Sequence, residues 1–173
     1  AAGESYDKIA RSIGLGYPGG PKIDKLAKKG NKDAIDFPRV RLEKDSYDFS
    51  FSGLKTSVLN YLNNTKQKGE EINKADLCAS FQEAVIDVLV EKSMRLVDET
   101  GYKTFCVSGG VAANSRLRER MEEECQKRGV KFCYPSIELC TDNAAMIAIA
   151  GYLNYKAGAR SDKYLKVYPN LGL

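Results

Sequence analysis

Three short stretches carry residue types from which a binding site can be built. "VSGGVAAN" at 107–114 joins two glycines, which let backbone approach a ligand, to Asn114, whose amide both donates and accepts hydrogen bonds. "GLGYPGG" at 14–20 lies between Asp7 and Asp24, acids suited to accepting hydrogen bonds from ribose hydroxyls. "LCTDNAAMIA" at 139–148 opens a helical pattern with Asp142, a carboxylate that can ligate a metal ion or face the positive end of a helix dipole. Each stretch also has a plainer reading. The first is a tight turn with Asn114 as a helix cap, and it is neither a Walker A loop nor a GxGxxG fingerprint. In the third, Thr141 is the cap and Asp142 a first-turn acid, while Asp7 and Asp24 are solvated.

Composition narrows the chemistry further. The 173 residues contain no histidine, which removes Ser-His-Asp triads, Cys-His pairs and HExxH metal sites from this chain. Five cysteines without a CxxC pair read as reduced core thiols of a cytosolic protein. No apolar run approaches the ~20 residues of a membrane-spanning helix. The net charge of +4 permits an acidic partner such as nucleic acid without requiring one, and the densest basic stretch, Lys22, Lys25, Lys28, Lys29 and Lys32, reads first as a solvated helix face.

The elements that must position these stretches follow from periodicity. Tyr6, Ile9, Ala10 and Ile13 share a helical face that Gly14 and Gly16 end. Pro21 suits the first position of a short helix closing at Gly30. Residues 33–48 read as loop with one short strand near Val40 and Leu42. Ser52 is the expected cap of a helix carrying Leu54, Val58, Tyr61 and Leu62. Leu77, Phe81, Val85, Val88, Leu89 and Leu96 mark a long amphipathic helix ending near Gly101. "KTFCVSGG" and "VKFCYP" are strands, each followed by a helix: one bearing Leu117, Met121 and Cys125, the other an alanine-rich helix from about Asp142 to Tyr155, suited to close packing on a sheet. Strand, helix, strand, helix predicts a parallel α/β unit, which puts "VSGGVAAN" at a strand's carboxyl end, where such folds bind ligands.

Five segments in order, "AAGESYDKIARSIGLGYPGGPKID", "DFSFSGLKTSV", "FQEAVIDVLVEK", "VSGGVAANSRLRERM" and "LCTDNAAMIAIAGY", resemble the tRNA N6-adenosine threonylcarbamoyltransferases, the TsaD family, formerly labelled O-sialoglycoprotein endopeptidases. The resemblance implies an α/β fold: the second, C-terminal lobe of a two-lobed actin-like ATPase (ASKHA, ribonuclease H-like) over 1–173, with a mainly helical insert at about 33–100, a β-α-β-α unit at about 102–157 and no N-terminal lobe. The chain opens inside a helical pattern without an initiator methionine, so a piece of a longer protein is the expectation.

By the same resemblance, Asp7, Gly20, Asp24 and Asn114 match the family's adenylate contacts and Asp142 its carboxylate ligand to iron or zinc. The remaining ligands, two histidines of an HxxxH motif, belong to the first lobe. The implied reaction moves the threonylcarbamoyl group from threonylcarbamoyl-adenylate to N6 of adenosine 37 in tRNAs reading ANN codons, in the cytoplasm. TsaB- and TsaE-like subunits are the implied partners if the source is bacterial. An isolated lobe is expected to be inactive and prone to self-association. A metal-dependent glycoprotein endopeptidase and a non-catalytic actin-like scaffold are the alternatives.

Overall fold

The computed structural model describes residues 2–42, 46–162, 164 and 166. They form two compact units, Ala1–Cys140 and Thr141–Leu173, each described by itself. This boundary separates the last helix from the β-α-β segment with which the sequence pattern groups it.

In the first unit, α1 (Ala2–Ser12) buries Tyr6, Ile9 and Ala10, with Ile13 just beyond its end, and Gly14 and Gly16 stop it with φ of 77° and 74°. Helix α2 runs Gly19–Ala27 and begins two residues before the expected Pro21, with Pro18 at the cap position. Pro21 falls inside the first turn, where the missing N–H has no intrahelical partner to lose. Gly19 is set by space: a Cβ there would lie 2.7 Å from Ala10 Cβ and from the backbone of Asp7 and Tyr6. The two helices therefore touch through backbone.

From 31 to 42 the described residues form no strand; the expected one near Val40 has no regular secondary structure. The buried Ser80 accepts from Ile35 N (3.1 Å) and donates to Asn31 O (3.3 Å), while the buried Phe37 meets Tyr61 edge-on. Because the chain is held by an isolated anchor and side-chain hydrogen bonds, no alternating pattern is needed. Helix α3 (Ser52–Gln67) buries Leu54 and Val58, but Phe51 rather than Ser52 occupies its cap position and makes no side-chain cap bond.

Helix α4 (Lys74–Thr100) is the spine of the unit. Asn73 caps it by accepting from Ala75 N and Asp76 N, and Gly101 ends it at φ 68°. At 27 residues it is about 40 Å long. Its first half closes a core with α1, α2 and α3 around Tyr6, Ile23, Leu54 and Phe81. Its second half supplies Ile86, Val90, Met94 and Val97 to another core with Leu117, Met121 and Cys125 of α5 (Ser115–Lys127). Leu96, grouped with the apolar face in the sequence, is 40% exposed. Strands β1 (Thr104–Cys106) and β2 (Lys131–Cys133) pair in parallel, Phe105 opposite Phe132 and Cys106 opposite Cys133.

All five cysteines are free, but only Cys78, Cys125 and Cys140 are buried; Cys106 and Cys133 lie on the strands with more access. Burial pushes the Cys78 thiol up to about 12, so it stays protonated and inert. Among the described residues no helix is long and apolar enough to cross a membrane.

The second unit contains α6 (Ala144–Lys156). Its cap is Asn143, accepting from Met146 N at 3.0 Å, and not Thr141. Asp142 therefore precedes the helix instead of lying in its first turn. No residue of α6 is buried, and the expected helix-on-sheet packing has no counterpart within this unit.

The α1–α2 contact yields the first expected outcome. Gly19→Ala forces a methyl group into occupied backbone and should destabilise the chain by about 1–3 kcal/mol in urea denaturation. Gly20→Ala, where a Cβ meets nothing within 4 Å, is the matched control and should cost less.

Candidate functional site

The site begins where β1 ends. Gly109 has φ 85° and ψ 171°, a conformation open essentially only to glycine, although a Cβ there would meet nothing within 4 Å. The requirement is therefore conformational. Beyond it, Gly110–Ala113 forms one 3-10 turn that delivers Asn114 to the cap position of α5.

Asn114 is 8% exposed and its amide is doubly engaged. Oδ1 accepts from Leu117 N at 2.9 Å, and Nδ2 donates to Gln82 Oε1 of α4 at 2.7 Å. The cap expected from the sequence is thus present.

The neighbouring residue, Ser115, gives both its N–H (3.3 Å) and its hydroxyl (2.9 Å) to the Asp24 carboxylate of α2. Asp24 lies one helical turn from Gly20, on the same face. At the start of α2, Asp7 Oδ1 accepts from Gly19 N at 2.7 Å. Neither acid is simply solvated: each meets a backbone N–H in the first turn of a helix, where the dipole favours negative charge. Hydrogen bonds through Gly19 and Ser115 therefore tie Asp7, the Gly20–Asp24 face of α2 and the start of α5 at Asn114 to one another within the first unit.

Residues the sequence did not single out stand directly behind this surface. Glu83, next to Gln82 on α4, is 4% exposed. Arg116 grips it with two bonds of 2.9 Å, Arg120 reaches Oε1 at 2.8 Å, and Lys32 does so at 3.3 Å. Burial raises the Glu83 carboxyl, but Arg116 and then Lys32 outweigh it and hold it down at about 2. Arg120 also bonds Asp87, which Arg39 contacts at 3.0 Å. A cleft of about 520 Å³ opens beside this cluster, with Gln82, Glu83, Ser115, Arg116 and Lys32 in its wall. The available signal was the polar pair Gln82–Glu83 inside an apolar run, matched by arginines four residues apart on α5.

Among the described residues the buried Tyr6 hydroxyl has no hydrogen-bond partner, and its ring packs edge-on against Phe81. Burial drives its pKa up, with Asp24 and Glu83 adding to the effect, so it remains a neutral donor.

Of the basic stretch, Lys22 donates to Leu15 O and Tyr17 O, and Lys32 is turned to Glu83; Lys25, Lys28 and Lys29 are exposed. A larger groove of about 900 Å³ between α4, α5 and residues 36–41 is rich in arginine, but Arg39, Arg41 and Arg128 are committed to Asp87, Glu91 and Asp98. Asp142 is exposed and belongs to the second unit. Among the described residues no three His, Cys, Asp or Glu side chains converge to hold a metal ion. They do not by themselves make a metal centre.

Two parallel strands, with the amide-capped helix α5 starting beyond the end of β1, define an α/β unit. Comparison with known proteins makes this specific. The family model described as "TsaD: tRNA N6-adenosine threonylcarbamoyltransferase" matches residues 1–149. Proteins named tRNA N6-adenosine threonylcarbamoyltransferase are 59% identical over 173 residues in Clostridium beijerinckii and 57% identical over 171 residues in Clostridioides difficile. These matches cover 100% and 99% of this chain and 51% of each relative. The chain belongs to the tRNA N6-adenosine threonylcarbamoyltransferase family, and it spans about half the length of the curated relatives it matches.

The Glu83 cluster carries a pH dependence with a definite sign. Its folded pKa lies below the ordinary 4.5, so its contribution is present above that value and lost as pH falls toward 2. Glu83→Gln should cost about 3 kcal/mol at pH 7 and very little near pH 2, read by denaturant midpoints across that range.

Proposed function

We propose that this chain forms the second lobe of an actin-like, two-lobed transferase. The enzyme moves the threonylcarbamoyl group of threonylcarbamoyl-adenylate to N6 of adenosine 37 in tRNA. The carrying observation is the pair of hydrogen bonds, Asp7–Gly19 and Asp24–Ser115, that links Asp7, Gly20 and Asp24 to the segment bearing Asn114. The names of the relatives supply the reaction and the acceptor; the chemistry of the surface supplies the donor's adenylate half.

In this reading the carboxylate lone pairs that Gly19 and Ser115 leave unused accept from the ribose hydroxyls. Gly20 keeps the α2 face open, since nothing lies within 4 Å of where its Cβ would be. Asn114 has one amide hydrogen and one lone pair beyond its two bonds, and presents them to the polar edge of the nucleotide. The first lobe closing over this surface would exclude water from a labile mixed anhydride, which a half-cleft leaves exposed.

Asp142 would give one carboxylate to an iron or zinc ion whose other ligands lie outside this chain. Such an ion, when bound, polarises the acyl carbonyl. The tRNA, the first lobe and TsaB- and TsaE-like subunits are the partners this reading calls for, in the cytoplasm.

In the full-length protein, Asn114→Ala should weaken AMP binding about tenfold by calorimetric titration and lower formation of the modified nucleoside, read by mass spectrometry of digested tRNA. Unchanged AMP affinity would remove Asn114 from the site. Asp142→Asn should lower bound iron or zinc in elemental analysis while leaving AMP affinity within about twofold of the parent.

A further inference from the structure

We infer that Gln82 is a positioning residue for the nucleotide surface, fixing which atoms Asn114 offers to the adenylate; the inference rests on the reading of Asn114 given above. Three directional constraints lead to it. First, only an oxygen can accept from Leu117 N–H, so the 2.9 Å cap bond makes that prong of Asn114 its Oδ1. Second, the other prong is then Nδ2, and its partner at 2.7 Å has to be an acceptor, so Gln82 presents Oε1. Third, Gln82 is 4% exposed and belongs to the stretch of α4 from Leu77 to Ile86, every residue of which is buried.

Turning the Asn114 amide over would set Nδ2 against Leu117 N–H and Oδ1 against Gln82 Oε1. The Leu117 contact would then oppose two donors, and the Gln82 contact two acceptors unless the Gln82 amide turned as well. The cap alone fixes one prong of Asn114. The bond from α4 fixes the plane and the rotamer as well, since it anchors the amide from a second element. The one amide hydrogen and one lone pair that remain consequently have set directions before any ligand arrives.

Gln82 also lines the 520 Å³ cleft with Ser115 and Arg116. Gln82 acts through Asn114 and is not itself a catalytic residue.

The test is a double-mutant cycle in the full-length protein with AMP as the probe. Gln82→Met keeps the length of the side chain and removes the acceptor; it should weaken AMP binding about five- to tenfold. Gln82→Glu keeps an acceptor and should stay within about threefold of the parent. In an Asn114→Ala background, Gln82→Met should add less than about twofold, because the group it positions is gone. A Gln82→Met effect that is absent, or that multiplies independently with Asn114→Ala, overturns the inference while leaving the nucleotide surface in place. An Asn114→Ala protein with parental AMP affinity instead overturns the reading of the surface itself. If Gln82→Met does not fold, Gln82→Glu decides alone: retained affinity supports the positioning role, and a loss equal to that of Asn114→Ala refutes it.

Discussion

A carboxylate buried at the midpoint of α4 sets the constraint to which the rest of the first unit answers. Removing Glu83 from water is costly unless cations and hydrogen bonds surround it. Arg116 and Arg120, one turn apart on α5, and Lys32 from the loop after α2 supply them. Because an i,i+4 pair of arginines can straddle one carboxylate in only one register, satisfying Glu83 also fixes the rotation and height of α5 on α4. The start of α5 then has a single place to be, and Asn114 arrives beside Gln82, the residue preceding Glu83. Apolar packing through Leu117, Met121 and Cys125 makes the helix pair stable; the ion cluster makes it specific.

The same helix reconciles two cores that would otherwise be independent. Its first half packs α1, α2 and α3, and its second half packs α5 and the strands. Asp7 and Asp24 come from the first group and Asn114 from the second, and α4 packs against both while the Asp24–Ser115 bond joins them directly. The resemblance assigns all of α4 to an insert at about 33–100. Physically, however, it is the beam on which both sides of the site rest.

Helices and strands were legible because their apolar residues repeat at 3.6 or 2: Tyr6, Ile9 and Ala10, or Leu117, Met121 and Cys125, are buried as their spacing requires. Caps were read less well. Ser52 and Thr141 have good cap chemistry, yet Phe51 and Asn143 hold those positions, since cap position is decided by backbone entry as well as by side-chain type. Gln82 and Glu83 were invisible to periodicity, which treats a polar residue in an apolar run as noise. Their partners lie 32 to 51 residues away, and no local pattern encodes such a pairing. Family resemblance located the surface residues by motif, but it said nothing of what holds them.

Two glycines show that the surface is prepared by backbone before any side chain contributes. At Gly19 the cause is space: with a Cβ 2.7 Å from α1, α2 would have to move outward, and its first N–H would leave Asp7. At Gly109 the cause is the torsion itself, since the surroundings are open but φ 85° with ψ 171° is forbidden to other residues. That torsion turns the chain sharply off β1, so that a single 3-10 turn suffices to bring Asn114 to Gln82. The two acids and the amide then meet three fixed N–H groups, those of Gly19, Ser115 and Leu117, each at a helix start. Since these N–H groups have no intrahelical partners, the side chains that bind them lose nothing to competition, and what remains of their hydrogen-bonding capacity is directed outward. In the function proposed above, that remaining capacity is what the hydroxyls and base edge of a nucleoside would meet.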